Sequence, residues 1–129
     1  MFNLKKIEGG RQNVHEPEML TVGASDLAIG TACTVNNGLL VAATGTTKPT
    51  HITLAAGAKG KTIPCGRIES NQVYETPVVG ENLTSLKVGQ KVTLSGDGTN
   101  VTTTTTNGVA TIVDLLGATA EGDFIQVRF

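Results

Sequence analysis

Residues 86–129 read LKVGQKVTLSGDGTNVTTTTTNGVATIVDLLGATAEGDFIQVRF, and their pattern decides the fold. Val92 and Leu94 alternate with Lys91 and Thr93, while Ile125, Val127 and Phe129 alternate with Gln126 and Arg128. That period of two is the mark of strands with one face buried. Gly-Asp-Gly and Asn-Gly separate the runs. Working outward, no interval free of Gly and Pro exceeds the ten residues 67–76 in a chain of 129. An average globular helix already needs about 11 to 12 residues, so long helices are excluded by punctuation.

Short apolar runs recur upstream at residues 27–35, 39–43, 52–56, 61–69 and 73–79, each expected to be a strand. Asn36-Asn37-Gly38 predicts a tight hairpin, because Asn and Gly tolerate the positive φ of primed turns. Leu39-Leu40-Val41-Ala42-Ala43 does not alternate and is expected to be buried on both faces. Pro64 marks an edge strand or a bulge. The run Thr102 to Thr106 favours extended backbone through its β-branched side chains. Residues 81–88 are expected to hold a single helical turn capped by Asn82.

Trp is absent and aromatics make up 3% of the chain, so the core must come from Val, Ile, Leu and Ala. The length suits one domain that needs no metal or disulfide staple. The expected fold is all-β: a small antiparallel β-barrel or β-sandwich body over residues 19–129, with an extended N-terminal arm over residues 1–18. The arm is dense in charge (Lys5, Lys6, Glu8, Arg11, Glu16, Glu18), is broken by Gly9-Gly10 and shows no sustained period. Its apolar residues Phe2, Leu4 and Ile7 would each return about 1.5–3 kcal/mol on full burial, which a partner surface can supply.

A net charge of -1 and a pI near 6.1 lack the electrostatic footprint of a nucleic-acid binder. Neither a secretory signal nor a run of about 20 apolar residues is visible, so no membrane partner and a cytoplasmic site of synthesis are expected. In that compartment Cys33 and Cys65 are expected to be buried free thiols. It also deprives the acceptor patterns at Asn82 and Asn100 of meaning.

The chain carries no legible catalytic constellation. Gly57-Ala58-Lys59-Gly60-Lys61-Thr62 resembles a phosphate loop but has Ala55 where the first glycine belongs, and Pro64 and Gly66 forbid the helix that must follow. It reads as a polar turn. His15, His51, Cys33 and Cys65 stand singly rather than at metal-ligand spacing, and His51 is expected on an exposed strand face. Residues 95–100 (SGDGTN) lack the repeated acids of a calcium loop and read as an Asx-type turn. Ser25, Ser70, Ser85 and Ser95 lie outside any Gly-x-Ser-x-Gly elbow. Glu16 and Glu18 fall in the arm, where solvent would leave them as ordinary acids. No enzyme activity, cofactor, metal or small-molecule substrate is therefore expected. Aromatic platforms for carbohydrate are few: Tyr74 and Phe124 sit out of phase with neighbouring aliphatics, as surface rings would, but packing is the favoured reading of both.

The Val-Gly-Gln-Lys-Val entry at residues 88–92, the Thr-rich strand, the apolar strand and the closing Gly-Asp-Phe-Ile-Gln-Val-Arg-Phe together resemble the small capsid cement, or decoration, proteins of tailed phages. The resemblance covers mainly residues 86–129 and, more loosely, residues 21–79. It implies a homotrimer that sits on the outer surface of the virion, binds the major capsid protein and stabilises the mature shell by bridging capsomers. Candidate contacts are Phe2, Leu4 and Ile7, with Lys5, Lys6 and Arg11 answering acidic capsid patches. The longer, more charged arm leaves open a head-fibre, tail or other virion structural role. A carbohydrate-binding β-sandwich module is the rival class.

Overall fold

The computed structural model describes residues 1–10 and 16–129. Among them the chain is all-β, with eleven strands and two single turns of 3-10 helix. The strands are β1 (Asn3–Ile7), β2 (Glu18–Val22), β3 (Ala32–Asn36), β4 (Leu39–Ala42), β5 (His51–Thr53), β6 (Thr62–Arg67), β7 (Gln72–Val79), β8 (Lys91–Val92), β9 (Val101–Thr102), β10 (Ala110–Asp114) and β11 (Phe124–Arg128). Five of them close a barrel in the order β2-β4-β3-β5-β6. The other six form a sheet in the order β1-β7-β11-β10-β8, with β9 pairing β7 off that path. Pairing is antiparallel except for β2 with β4 and β7 with β9.

The β3–β4 hairpin forms as its turn chemistry dictates. Asn36 pairs with Leu39, leaving Asn37 (φ 51) and Gly38 (φ 78) as a two-residue turn in the left-handed region. A turn with positive φ at both central positions matches the right-handed twist of the flanking strands. Inside the barrel, Val22, Leu27, Cys33, Leu40, Ile63 and Cys65 form one apolar cluster. The barrel's wall residues Ala32, Ala43 and Ile52 join a second, larger cluster with Tyr74, Val78, Val92, Leu94, Ile112, Ile125 and Val127 of the sheet. Barrel and sheet thus share a core.

Residues 95–100 join the two units. Asp97 Oδ1 accepts from the Ser95 hydroxyl at 2.6 Å, the Thr99 hydroxyl at 2.7 Å and the Thr99 N–H at 3.0 Å, the expected Asx-type turn. These donors hold the Asp97 carboxyl below its ordinary range, the Ser95 hydroxyl most of all. The turn delivers Gly98, at φ 73, against the barrel, where its carbonyl accepts the Ala32 N–H at 2.8 Å. A Cβ there would sit 2.7 Å from the Ala43 carbonyl oxygen, so only glycine fits.

Several local expectations give way to tertiary context. Of the expected arm over residues 1–18, the described part is tied to the body: Asn3–Ile7 lies extended along β7, and Glu18 opens β2. β6 is no edge strand, since it pairs with both β2 and β5. Pro64 is tolerated because its backbone faces the point where β5 ends; its carbonyl accepts the Leu54 N–H at 3.0 Å. β4 is buried on one face only, with Leu40 inside the barrel and Leu39 exposed. In the threonine run only Thr102 is strand; a bend follows, tied by the Thr93 N–H to the Thr104 carbonyl at 3.0 Å. Asn82 stands at the head of the turn Leu83–Ser85, but in the left-handed conformation and without a side-chain cap. The Gly57-to-Thr62 segment is a polar turn whose Lys59 N–H is held by Asp26 Oδ1 at 2.9 Å.

Candidate functional site

The N-terminal strand borders an exposed apolar surface beside the barrel. β1 is the edge of the sheet and pairs with β7 through Asn3–Glu75, Leu4–Tyr74, Lys6–Val73 and Ile7–Gln72, with a bulge between Leu4 and Lys6. The bulge resets the side-chain phase. Phe2 and Leu4 precede it and Ile7 follows it on the face shared with Tyr74 and Gln72, while the Lys5-Lys6 doublet marks the irregularity. A bulge and paired lysines also discourage uncontrolled strand addition at a free edge.

Phe2 is the anchor of this arrangement. It is 3% exposed, its ring lies 5.4 Å from that of Phe129, and its N–H donates to the Gly30 carbonyl at 2.8 Å. Phe2 is therefore held in the protein's own core and meets the surface only as lining of the adjacent cleft. Tyr74 is likewise interior, its ring 5.8 Å from Phe129 and its hydroxyl donating to Gln72 Oε1 at 2.8 Å. Burial, with Glu69 adding to it, pushes the Tyr74 phenol up to about 12. Phe124 is a surface ring.

Leu4 remains outside, 43% exposed, and faces Ile29 and Leu54 of the barrel loops, which are 48% and 47% exposed. These three and Met1 border a cleft of about 260 Å³ floored by Phe2, Ile52 and Tyr74. Ile29 and Leu54 come from segments that sequence reading assigned to strands, and their convergence on Leu4 follows from barrel closure. The Met1 ammonium donates to Asn100 Oδ1 at 3.1 Å; partial burial lowers its pKa, while Asp97 acts in the opposite sense. Of the other sequence candidates, Lys5 reaches Glu75 at 3.7 Å, Lys6 is exposed, Ile7 is half-buried, and Arg11 lies outside the described residues.

A polar cluster closes one end of the barrel. His51 is 6% exposed, not on an open strand face as its lone position suggested. Its Nε2 lies 2.7 Å from Glu18 Oε2, its Nδ1 lies 2.8 Å from the Thr50 hydroxyl, and Arg67 reaches Glu18 Oε1 at 2.7 Å. These contacts lower the Glu18 carboxyl's pKa, the His51 bond most strongly and the Arg67 charge further down the order. Glu18 is 33 residues from His51, so no local spacing announces the pair. Cys33 and Cys65 lie deeper in the barrel as free thiols. Burial raises Cys33 to about 12, with Cys65 adding to it, and raises Cys65 to about 11, with Glu18 adding to it. Thiols so disfavoured as thiolates are poor nucleophiles.

Among the described residues, no three His, Cys, Asp or Glu side chains gather where they could hold a metal ion; His15 lies outside that set. Every buried side-chain polar atom among them has a hydrogen-bond partner. No helix among them is long and apolar enough to cross a membrane. No protein-family model and no curated protein sequence matches the chain.

Proposed function

We propose that this chain is a phage capsid decoration protein whose contact with the shell is the apolar cleft between β1 and the barrel. The observation that carries the reading is the convergence of Met1, Leu4, Ile29 and Leu54, each between 42% and 48% exposed, on one cleft. Clustered apolar exposure of this kind marks an interaction surface, whereas single exposed leucines do not. The resemblance of residues 86–129 to cement proteins supplies the identity of the partner, the major capsid protein.

Half of each of these side chains is already out of water, so covering the remainder returns about 0.7–1.5 kcal/mol per residue, or about 3–6 kcal/mol gross per cleft. Ordering the partners subtracts from that sum. A single cleft therefore binds weakly, and a homotrimer gains because the second and third clefts engage at high effective concentration. Preference for the assembled lattice over the free capsid subunit then stabilises the shell by mass action.

Co-sedimentation with undecorated capsids of the encoding phage tests this, comparing the natural chain with Leu4→Asp and Ile29→Asp. The variants should keep their melting temperature within a few degrees and lose at least tenfold in capsid affinity, since tenfold needs only about 1.4 kcal/mol. Unchanged decoration by both variants removes the cleft from the contact. Failure of the natural chain to decorate capsids removes the cement reading itself.

A further inference from the structure

Arg67 also borders a second, larger cleft of about 810 Å³, framed by β3, the β4–β5 connection, the link from β6 to β7 and the end of β11. Its size falls within the range of small-ligand sites, about 300–1,000 Å³. Its chemistry is one-sided. Lys48 and Arg67 line it, and among the described residues no Asp or Glu side chain does. Lys48 is exposed and has no ion-pair partner among the described residues, so its charge is available. Arg67 is pinned by Glu18 through one terminal nitrogen at 2.7 Å, which orients the guanidinium without occupying all of its donors.

Hydroxyls complete the polar part. Thr34, Thr50 and Ser70 line the cleft, and Thr50 is fixed by its bond to His51 Nδ1 at 2.8 Å. With His51 Nε2–H donating to Glu18, Nδ1 accepts the Thr50 proton and the lone pairs of that hydroxyl remain for a ligand. One wall is apolar: Phe129, partly buried against Phe2 at 5.4 Å and Tyr74 at 5.8 Å, lines it.

We propose that this cleft binds an acidic saccharide, a sugar ring bearing a carboxylate such as a terminal sialic or uronic acid. The carboxylate answers Lys48 and Arg67, and the ring hydroxyls answer Thr34, Thr50 and Ser70. The C–H face of the sugar lies on Phe129. Arg67 borders this cleft and the capsid cleft alike, but the other residues named for the saccharide line this one alone, and the proposal does not depend on the decoration reading.

The test is titration of the full chain, followed through the backbone amide signals of Thr34, Thr50 and Ser70, with four probes. These are a sialylated trisaccharide, a digalacturonate, the trisaccharide with its carboxyl reduced to the alcohol, and inorganic phosphate. At least one acidic saccharide should shift those signals saturably. Reduction of the carboxyl, or Lys48→Gln in the protein, should weaken binding about tenfold or more, the size of one lost charge-assisted hydrogen bond. Lys48→Gln should leave the melting temperature unchanged, because the side chain is exposed and unpaired. The proposal is overturned if neither acidic saccharide shifts the signals or if the reduced sugar binds as well as the acid. Phosphate displacing the saccharide at equal affinity also overturns it, since that is a site for any anion.

Discussion

Replacing Phe2 with alanine separates two pictures of the N-terminus, a loose arm and an integral strand. In the structure Phe2 is 3% exposed, stacked edge-on against Phe129 at 5.4 Å and packed in the same cluster as Tyr74, Ile125 and Val127. Truncating a buried phenylalanine removes its transfer energy and leaves a cavity, together about 3–5 kcal/mol. For 129 residues, an unfolding entropy of about 2.1 cal/mol/K per residue makes each kcal/mol worth about 4 °C. Phe2→Ala should therefore lower the melting temperature by about 10–20 °C. Leu4→Ala, two residues on but 43% exposed, should change it by only a few degrees. Differential scanning calorimetry of the two variants beside the natural chain reads this directly. Equal, small shifts for both would refute the reasoning, because they would show that the strand does not contribute its side chains to the core.

Gly98→Ala should destabilise the junction of barrel and sheet by more than the usual surface substitution, about 2 kcal/mol or more, since it combines a positive φ with a Cβ 2.7 Å from the Ala43 carbonyl oxygen; urea unfolding measures it, and a loss under 0.5 kcal/mol contradicts it. Because the folded Glu18 carboxyl sits below its ordinary 4.5, its contribution is present above that pH and is lost as the pH falls through the folded value. Glu18→Gln should accordingly flatten the acid limb of a stability–pH curve below about pH 4.5, and an unchanged limb would be against it. Cys33 and Cys65 have raised folded values, so the stability they hold as thiols is complete below the unfolded value near 9 and drains away between there and about 11 to 12. Thermal melts of the Cys33→Ala, Cys65→Ala double variant should show a shallower alkaline decline than the natural chain.

What could be read from the sequence was whatever is local. The Asn37-Gly38 turn, the alternation through Ile125 and Val127 and the absence of long helices are written in neighbouring residues, and the structure has all three. The N-terminal strand was hidden by its bulge. Phe2, Leu4 and Ile7 are spaced by two and then three residues, which breaks a period-two search even though all three share a face once Lys5 is extruded. Barrel closure was equally invisible, because the parallel contact of β2 with β4 joins strands that are not consecutive and carries no turn signature. The same holds for both clefts: Leu4 meets Ile29 and Leu54, and Lys48 meets Arg67, only after the chain has folded.

The central claim, that this protein decorates a capsid through the cleft between β1 and the barrel, is tested most directly by electron cryomicroscopy of the virion that carries it. The account predicts density for the β body on the outer capsid surface, in threefold groups, with Leu4, Ile29 and Leu54 turned toward the shell. Density confined to a tail or fibre, or a capsid-bound body with that cleft facing solvent, would contradict it.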